Sequence, residues 1–341
     1  MSTMSPTLPE TSSPPRLRRQ SALARLISAP AGAILVAFLL LQLACITYAL
    51  IAPDDFRYLS ARNLTILMKA IPVLGCMALG VGILMIAGEF DLSVGSIYTL
   101  TAVVMAVQVA GGMNPFVAAL LAILIGVAIG MLHGYITLKA GLPSFIVTLG
   151  GLLFWRGAVL LYNGAVQVRF DPGPIFSGLF GGTFLGINAA FLWFVALSLA
   201  FFVLLHRHRF GNHVFATGGN RAAATAIGID VGRVKIIAFA LAGGMAAFAG
   251  ILATVRVGSV QPGQGTGLEL QAIAACVIGG LSLTGGRGSV LGIFLGAMLI
   301  HTITNVLLLL RAPGFYLDMF IAVLIVGAAA FNSLIERKGR G

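Results

Sequence analysis

Between residues 29 and 334 the chain is a succession of long apolar runs joined by short polar connections. They fall at 29–52, 64–87, 94–111, 115–138, 143–163, 188–205, 234–255, 269–284, 289–310 and 315–334. About 20 apolar residues in a helix cross the hydrocarbon core of a bilayer. In that core every backbone N–H and C=O must be bonded internally, which a helix does within one segment. The runs therefore predict an all-α fold: a polytopic membrane helix bundle of about ten transmembrane helices. Charged residues make up 9% of the chain, against about 25% in ordinary soluble domains, so lipid has to be the solvent for most of it. The run at 269–284 is the shortest and ends in Gly-rich sequence. The run at 29–52 is too long for the apolar region of a signal peptide and reads as a span.

The flanks have a different character. Residues 1–28 are rich in Ser, Pro, Thr and Arg without apolar period and read as a disordered basic cytoplasmic tail. Residues 29–334 form one transmembrane domain, and 335–341 a second basic tail. The longest hydrophilic connection is 206–233, which divides the runs into a group near 64–163 and a group near 234–334. Such a division fits two bundles related as an inverted repeat across the membrane plane, although the residues themselves show no self-similarity.

Lys and Arg orient the bundle. With the N-terminus inside and alternating spans, fourteen of them fall inside and five outside (Arg57, Arg62, Arg169, Arg256 and Arg311), with Lys69 and Arg156 within runs. That excess predicts cytoplasmic N- and C-termini and a cytoplasmic 206–233 loop. The formal net charge of +11 sits in tails and connections, a membrane-anchoring pattern that gives no reason to expect nucleic acid.

Chemistry-bearing motifs are missing. No phosphate-binding GxxxxGK[ST] loop occurs, and GGRGSVLG at 285–292 has no lysine in place. There is no HExxH, no GxSxG and no Cys/His metal spacing; Cys45, Cys76 and Cys276 all lie in apolar runs. The carboxylates Glu89, Asp91, Glu269 and Asp318 fall at run ends rather than along a relay, which weighs against an ion-driven pump. The sequence describes a passage with no metal, no cofactor and no engine of its own, so energy must come from a partner. An ion-coupled secondary carrier for a small polar solute is the alternative.

Four motifs then narrow the reading. GEFDLSVGS at 88–96 resembles the GGIDLSVGS signature of permease subunits from bacterial ATP-binding-cassette importers of the ribose, xylose and arabinose type. GLPSFIVTLGGLLFWRGAVLLYNG at 141–164, FATGGNRAAATAIGIDVGRVK at 215–235 and GLELQAIAACVIGGLSLTGGRGSVLGIFLGAMLI at 267–300 are similar to further segments of that family, in the same order. Glu89 and Phe90 stand where the family usually has Gly-Ile, Gln271 where Asp is common, and Arg221 where an acid is common. Asp91-Leu92-Ser93 favours the sugar branch over the related branched-chain amino acid permeases. The resemblance implies an inner-membrane permease that carries a monosaccharide delivered by a periplasmic or extracellular binding protein. It also implies a second permease copy or a paralogue, and a cytoplasmic ATPase that binds the MgATP.

Residue roles follow from both sources. Asp91 or Ser93 can cap the helix that begins near Val94. Alternatively the stretch is a re-entrant break lining the passage, with Gly88 and Gly95 permitting the bend. Glu89 has no cap role, and a salt bridge or an interfacial position accounts for it. Asn220 is an expected N-cap, after Gly218 and Gly219, for a short helix over Arg221, Ala222, Ala223 and Ala224 that Gly228 ends; this is the expected ATPase-coupling element. Phe145, Arg156, Glu269, Gln271 and Asn305 are candidates for the passage, scattered polar and aromatic groups suited to a neutral polyol.

Overall fold

Length divides the apolar runs into those that can cross a bilayer and those that cannot. The computed structural model describes residues 31–313 and scattered positions from 316 to 330. The expected tails at 1–28 and 335–341, and Phe315 and Asp318 of the last run, lie outside the described residues. In chain order the helices are α1 (Gly32–Ile51), α2 (Ala61–Ile86), α3 (Val94–Ala110), α4 (Pro115–Ala140), α5 (Ser144–Asn163), α6 (Pro174–Gly181), α7 (Ala189–His206), α8 (Arg209–Gly219), α9 (Arg221–Ala226), α10 (Val231–Val257), α11 (Leu268–Ile278) and α12 (Val290–Leu309). Seven of these, namely α1, α2, α4, α5, α7, α10 and α12, are long and apolar enough to cross a membrane.

Their starts are written in the sequence. Ser60, Asn114, Asn188, Asp230 and Ser289 each accept a hydrogen bond from a first-turn N–H of α2, α4, α7, α10 and α12. Such side chains satisfy donors that the helix itself cannot.

Two runs do not give full spans. α3 has 17 residues and α11 has 11. At 1.5 Å per residue α11 rises only about 16 Å, roughly half the hydrocarbon thickness. The run expected to span at 269–284 is thus corrected: its helix stops at Ile278, and Gly279 and Gly280 (φ 86°) turn the chain into a Gly-rich loop. Irregular backbone is tolerated at that depth only inside protein, and Ala272, Ala274, Ala275 and Cys276 are indeed fully buried.

The molecule is organised around α10, which packs against α4, α2 and α3. A Cβ added to Gly126 would lie 2.5 Å from the Gly243 carbonyl oxygen, and one on Gly130 would lie 2.2 Å from that of Phe239. α4 and α10 therefore cross at backbone contact, a packing available to small residues in lipid. The first ten residues of α3 and the second half of α2 are buried on all sides. By contrast α1, α4 and α5 turn leucines outward, among them Leu40, Leu43, Leu120, Leu124, Leu153 and Leu161. The residue groups 64–163 and 234–309 interlock around α10 into one core.

At the end of the bundle where α10 finishes, β1 (Val168–Arg169) pairs antiparallel with β4 (Ser259–Val260). β2 (Thr183–Phe184) and β3 (Ile187–Asn188) form a separate hairpin. With α6 they make a small platform. α8 and α9 occupy the opposite end.

Candidate functional site

The segment between α2 and α3 holds the signature carboxylates. α2 ends at Ile86 and Gly88, at φ 82°, makes the turn that a side chain would strain. Glu89 forms an ion pair with Lys235 near the start of α10; both side chains are largely buried. The pairing supplies the partner that Glu89 lacked in the sequence. The Phe90 N–H then donates to Ser144 Oγ at the start of α5, over 3.1 Å.

Asp91 turns inward and is fully buried. Its Oδ1 accepts from the Ser93 N–H at 2.7 Å and from Ser93 Oγ at 2.5 Å. Ser93 Oγ lies 3.1 Å from His133 Nδ1 on α4, and Trp155 Nε1 on α5 donates to His133 Nε2 over 3.1 Å. Proton placement in this chain is forced. The indole can only donate, so Nε2 is the acceptor and the neutral ring carries its hydrogen on Nδ1. That hydrogen goes to Ser93 Oγ, whose own hydrogen goes to Asp91. Gly151 makes room, since a Cβ there would sit 2.5 Å from His133 Nε2. The expected cap is corrected here: Ser93 occupies the N-cap position of α3 but makes no side-chain cap bond, and Asp91 binds the Ser93 N–H, before the helix begins. The stretch is a break in the helical run, and the polar chain ties it to α4 and α5.

α3 meets the other interrupted element directly. Gly95, Ser96 and Thr99 from its first turns, Arg156 and Val159 from α5, and Pro262, Gly265 and Thr266 from the segment before α11 line a cavity of about 10 Å³, the space of a single water. A Cβ on Gly95 would lie 2.2 Å from Glu269 Oε2 and 2.5 Å from the Gly265 carbonyl oxygen. Glu269 is buried at the start of α11; its Oε1 accepts from the Gly267 N–H at 3.2 Å, and Arg156 is near enough to attract it. Arg156 and Glu269, two of the expected passage residues, thus come together where α3 and the 262–266 segment close on each other.

The other three go elsewhere. Gln271 is two positions along α11 and half-buried, on a different face from Glu269. Asn305 exchanges side-chain hydrogen bonds of 2.8 and 3.0 Å with Asn63 and so clasps α12 to α2. Phe145 is half exposed on the first turn of α5.

At the far end, Asn220 Oδ1 accepts from the Ala223 N–H at 3.0 Å, the expected N-cap. The helix closes with the Gly228 N–H bonded to the Thr225 carbonyl and the Ile229 N–H to that of Ala224, both at 3.0 Å, with Gly228 at φ 85°. This is the Schellman ending a glycine favours. Arg221, Ala222 and Ala223 are exposed, while Ala224 is buried against the body of the protein and is out of a partner's reach.

Gly218 and Gly219 belong to α8 and do more than precede the short helix. The Gly286 N–H donates to the Ile86 carbonyl at 2.8 Å. A Cβ on Gly218 would lie 1.9 Å from that same oxygen, and one on Gly285 2.8 Å from Gly88 Cα. Three Gly-rich motifs, at 88, at 218–219 and at 285–286, therefore join backbone to backbone. Each motif is visible in the sequence, but the joint is not, nor are the roles of His133, Trp155 and Lys235. The partners lie 22 to 146 positions apart in the chain, and no local pattern marks them.

Residues 63–329 match the family described as branched-chain amino acid transport system permease components. The chain is 36% identical to the autoinducer 2 import system permease protein LsrC of Salmonella choleraesuis over 282 residues, which cover 83% of this chain and 81% of that protein. It is 36% identical to LsrC of Salmonella typhi over 297 residues, 87% and 85% of the two chains. Against LsrC of Escherichia coli K12 it is 34% identical over 283 residues, 83% and 82%. No solved structure matches it. All four resembling motifs fall inside the matched region.

Proposed function

The chain belongs to the permease-component family that it matches over residues 63–329, and from that premise we propose that it carries a small neutral polyhydroxylated solute of the monosaccharide class. It is the transmembrane component of an ATP-binding-cassette importer, a transport subunit rather than an enzyme. In this reading a soluble binding protein delivers the solute to the platform end. A second copy or a paralogue completes the passage, and a cytoplasmic ATPase that binds MgATP docks on α8 and α9. The termini lie in the cytoplasm. An arrangement in two inverted repeats belongs to the same proposal. Its support is that each half carries one interrupted helix, α3 in the first and α11 in the second, and such a pair marks the transport site of repeat-built carriers.

The observation that carries the reading is the glycine joint. Gly218, in the last turn of α8 just ahead of the coupling helix α9, packs its backbone on Ile86 and Gly286. Displacing α8 and α9 then displaces the breaks before α3 and after α11 together. Those two elements close on each other at Gly95, Gly265 and Glu269, where a small change in separation would open the passage between Arg156 and Glu269. Scattered hydrogen-bonding groups suit a polyol that must be released again.

The test is reconstitution of the permease with its ATPase and binding protein in vesicles. Labelled ribose, xylose or arabinose should enter only with ATP. Uptake by the permease alone under an ion gradient would establish the secondary-carrier alternative instead. The relatives' name supports a second cargo, autoinducer 2, and its depletion from the medium in the same assay decides between the two solutes.

A further inference from the structure

Lys69 and Arg256 share a pocket of about 140 Å³ between α2, α6, α7 and α10, at the platform end of the bundle. Ser177, Asn188, Phe180, Leu252 and Val255 complete its walls. None of the three ion pairs among the described residues involves either cation. Asn188 has its side chain committed: Nδ2 donates to the Gly181 and Gly182 carbonyls at 2.8 and 3.0 Å, and Oδ1 accepts from the Ala190 N–H at 3.1 Å. The polar groups free to bind something are the ammonium, the guanidinium and the Ser177 hydroxyl.

Two like charges facing one small cleft repel each other, and Lys69 lies two turns inside an apolar helix where an uncompensated charge is costly. An anion relieves both conditions. The pocket is smaller than the roughly 300–1,000 Å³ of sites that hold whole drug-sized ligands, so it suits a compact group. A guanidinium fork, a point-charge ammonium and a hydroxyl together are the donor set of a phosphate. The platform segments that contribute Ser177, Phe180 and Asn188 to the pocket also carry exposed apolar side chains: Ile175 is 78% exposed, and Leu179, Phe184 and Ile187 are exposed. Acyl chains could lie along that surface, and free phosphate would use the same polar contacts without it.

We propose that Lys69, Arg256 and Ser177 form a binding site for a phosphate-type anion, supplied by the headgroup of an anionic lipid or by inorganic phosphate. The site stands apart from the passage, and the proposal holds whichever solute the permease carries.

Trp193 reports on it. Its ring stacks on Phe180, with centroids 5.8 Å apart, and its Nε1 donates to the Leu179 carbonyl. The full chain would be placed in nanodiscs of phosphatidylcholine alone or with phosphatidylglycerol, and in detergent with inorganic phosphate or chloride at equal ionic strength. Thermal unfolding and tryptophan emission are followed, and native mass spectrometry counts retained phosphatidylglycerol. A rise in unfolding temperature with phosphatidylglycerol that the K69Q/R256Q pair loses supports a lipid headgroup; the same pattern with inorganic phosphate supports a free anion. Apparent affinity should fall about tenfold or more in that variant, while the charge-conserving pair K69R/R256K retains binding. If the glutamine pair does not fold, Arg256→Gln alone, at an exposed position, gives the reading. Absence of any shift, or an equal shift in the glutamine variant, overturns the proposal.

Discussion

Gly218 and Gly219 are neighbours in one motif with opposite tolerances. The Cβ of an alanine at 218 would meet the Ile86 carbonyl oxygen at 1.9 Å and the Gly286 nitrogen at 2.6 Å, two backbone atoms already bonded to each other. At 219 the nearest atom is the Gly286 Cα, 4.0 Å away. Gly218→Ala should lower folded yield and uncouple ATP turnover from uptake in what does fold; Gly219→Ala should stay within about 0.5 kcal/mol of the parent. Equal behaviour of the two in detergent melts and uptake assays would remove the joint from the argument. The polar chain behind Asp91 is tested in the same way. Trp155→Phe keeps a ring against Phe154 but removes the donor to His133 Nε2. A buried acceptor that loses its donor costs about 1–3 kcal/mol, and the thermal midpoint should fall accordingly, whereas a variant matching the parent would show the bond to be dispensable.

Among the elements, α9 shows how far sequence could see. Its cap at Asn220 and its closing glycine were legible, because local chemistry sets helix ends, whereas the inward turn of Ala224 was not. Most span ends were legible too: the run at 115–138 is Pro115–Ala140, and that at 289–310 is Val290–Leu309. The failure at 269–284 has a physical cause. Apolar residues serve equally to face lipid and to fill a protein core, so a run buried in the bundle reads as a span until its glycines are seen to end the helix. The Asp91 chain and the Lys69–Arg256 pocket were not legible because they are assembled from three or four helices. Burial also refines the coupling element. Ala223→Trp, on the exposed face, should leave the protein folded and weaken ATPase co-purification, while Ala224→Trp, at a site 1% exposed, should destabilise the helix itself. Asn220→Ala should cost about 1 kcal/mol through the lost cap, and Asn220→Asp should restore it. A co-purification unaffected by Ala223→Trp would place the motor elsewhere.

The two ends of the whole molecule differ in charge and in build. One carries Arg207, Arg209, Arg221, Arg233, Lys235 and Arg287 around α8, α9 and the glycine joint; the other carries Arg57, Arg62, Arg169 and Arg256 around the platform. Positive charge is retained on the cytoplasmic side, so the joint end should face the cytoplasm and the platform the outside. The proposed docking of an ATPase on α8 and α9 requires the same orientation, since ATP is supplied from within the cell. Two exposed positions at opposite ends test it. Leu185, at the tip of the β2–β3 hairpin, is fully exposed, and Ile227, the C-cap residue of α9, is 75% exposed and enters the cap only through its backbone N–H. Cys45, Cys76 and Cys276 are buried and can be replaced to give a silent background. In intact cells an impermeant thiol reagent should then label Leu185→Cys and spare Ile227→Cys, and opening the membrane should make Ile227→Cys reactive. Labelling of Ile227→Cys in intact cells would invert the molecule and leave the coupling element on the side where no ATP is available.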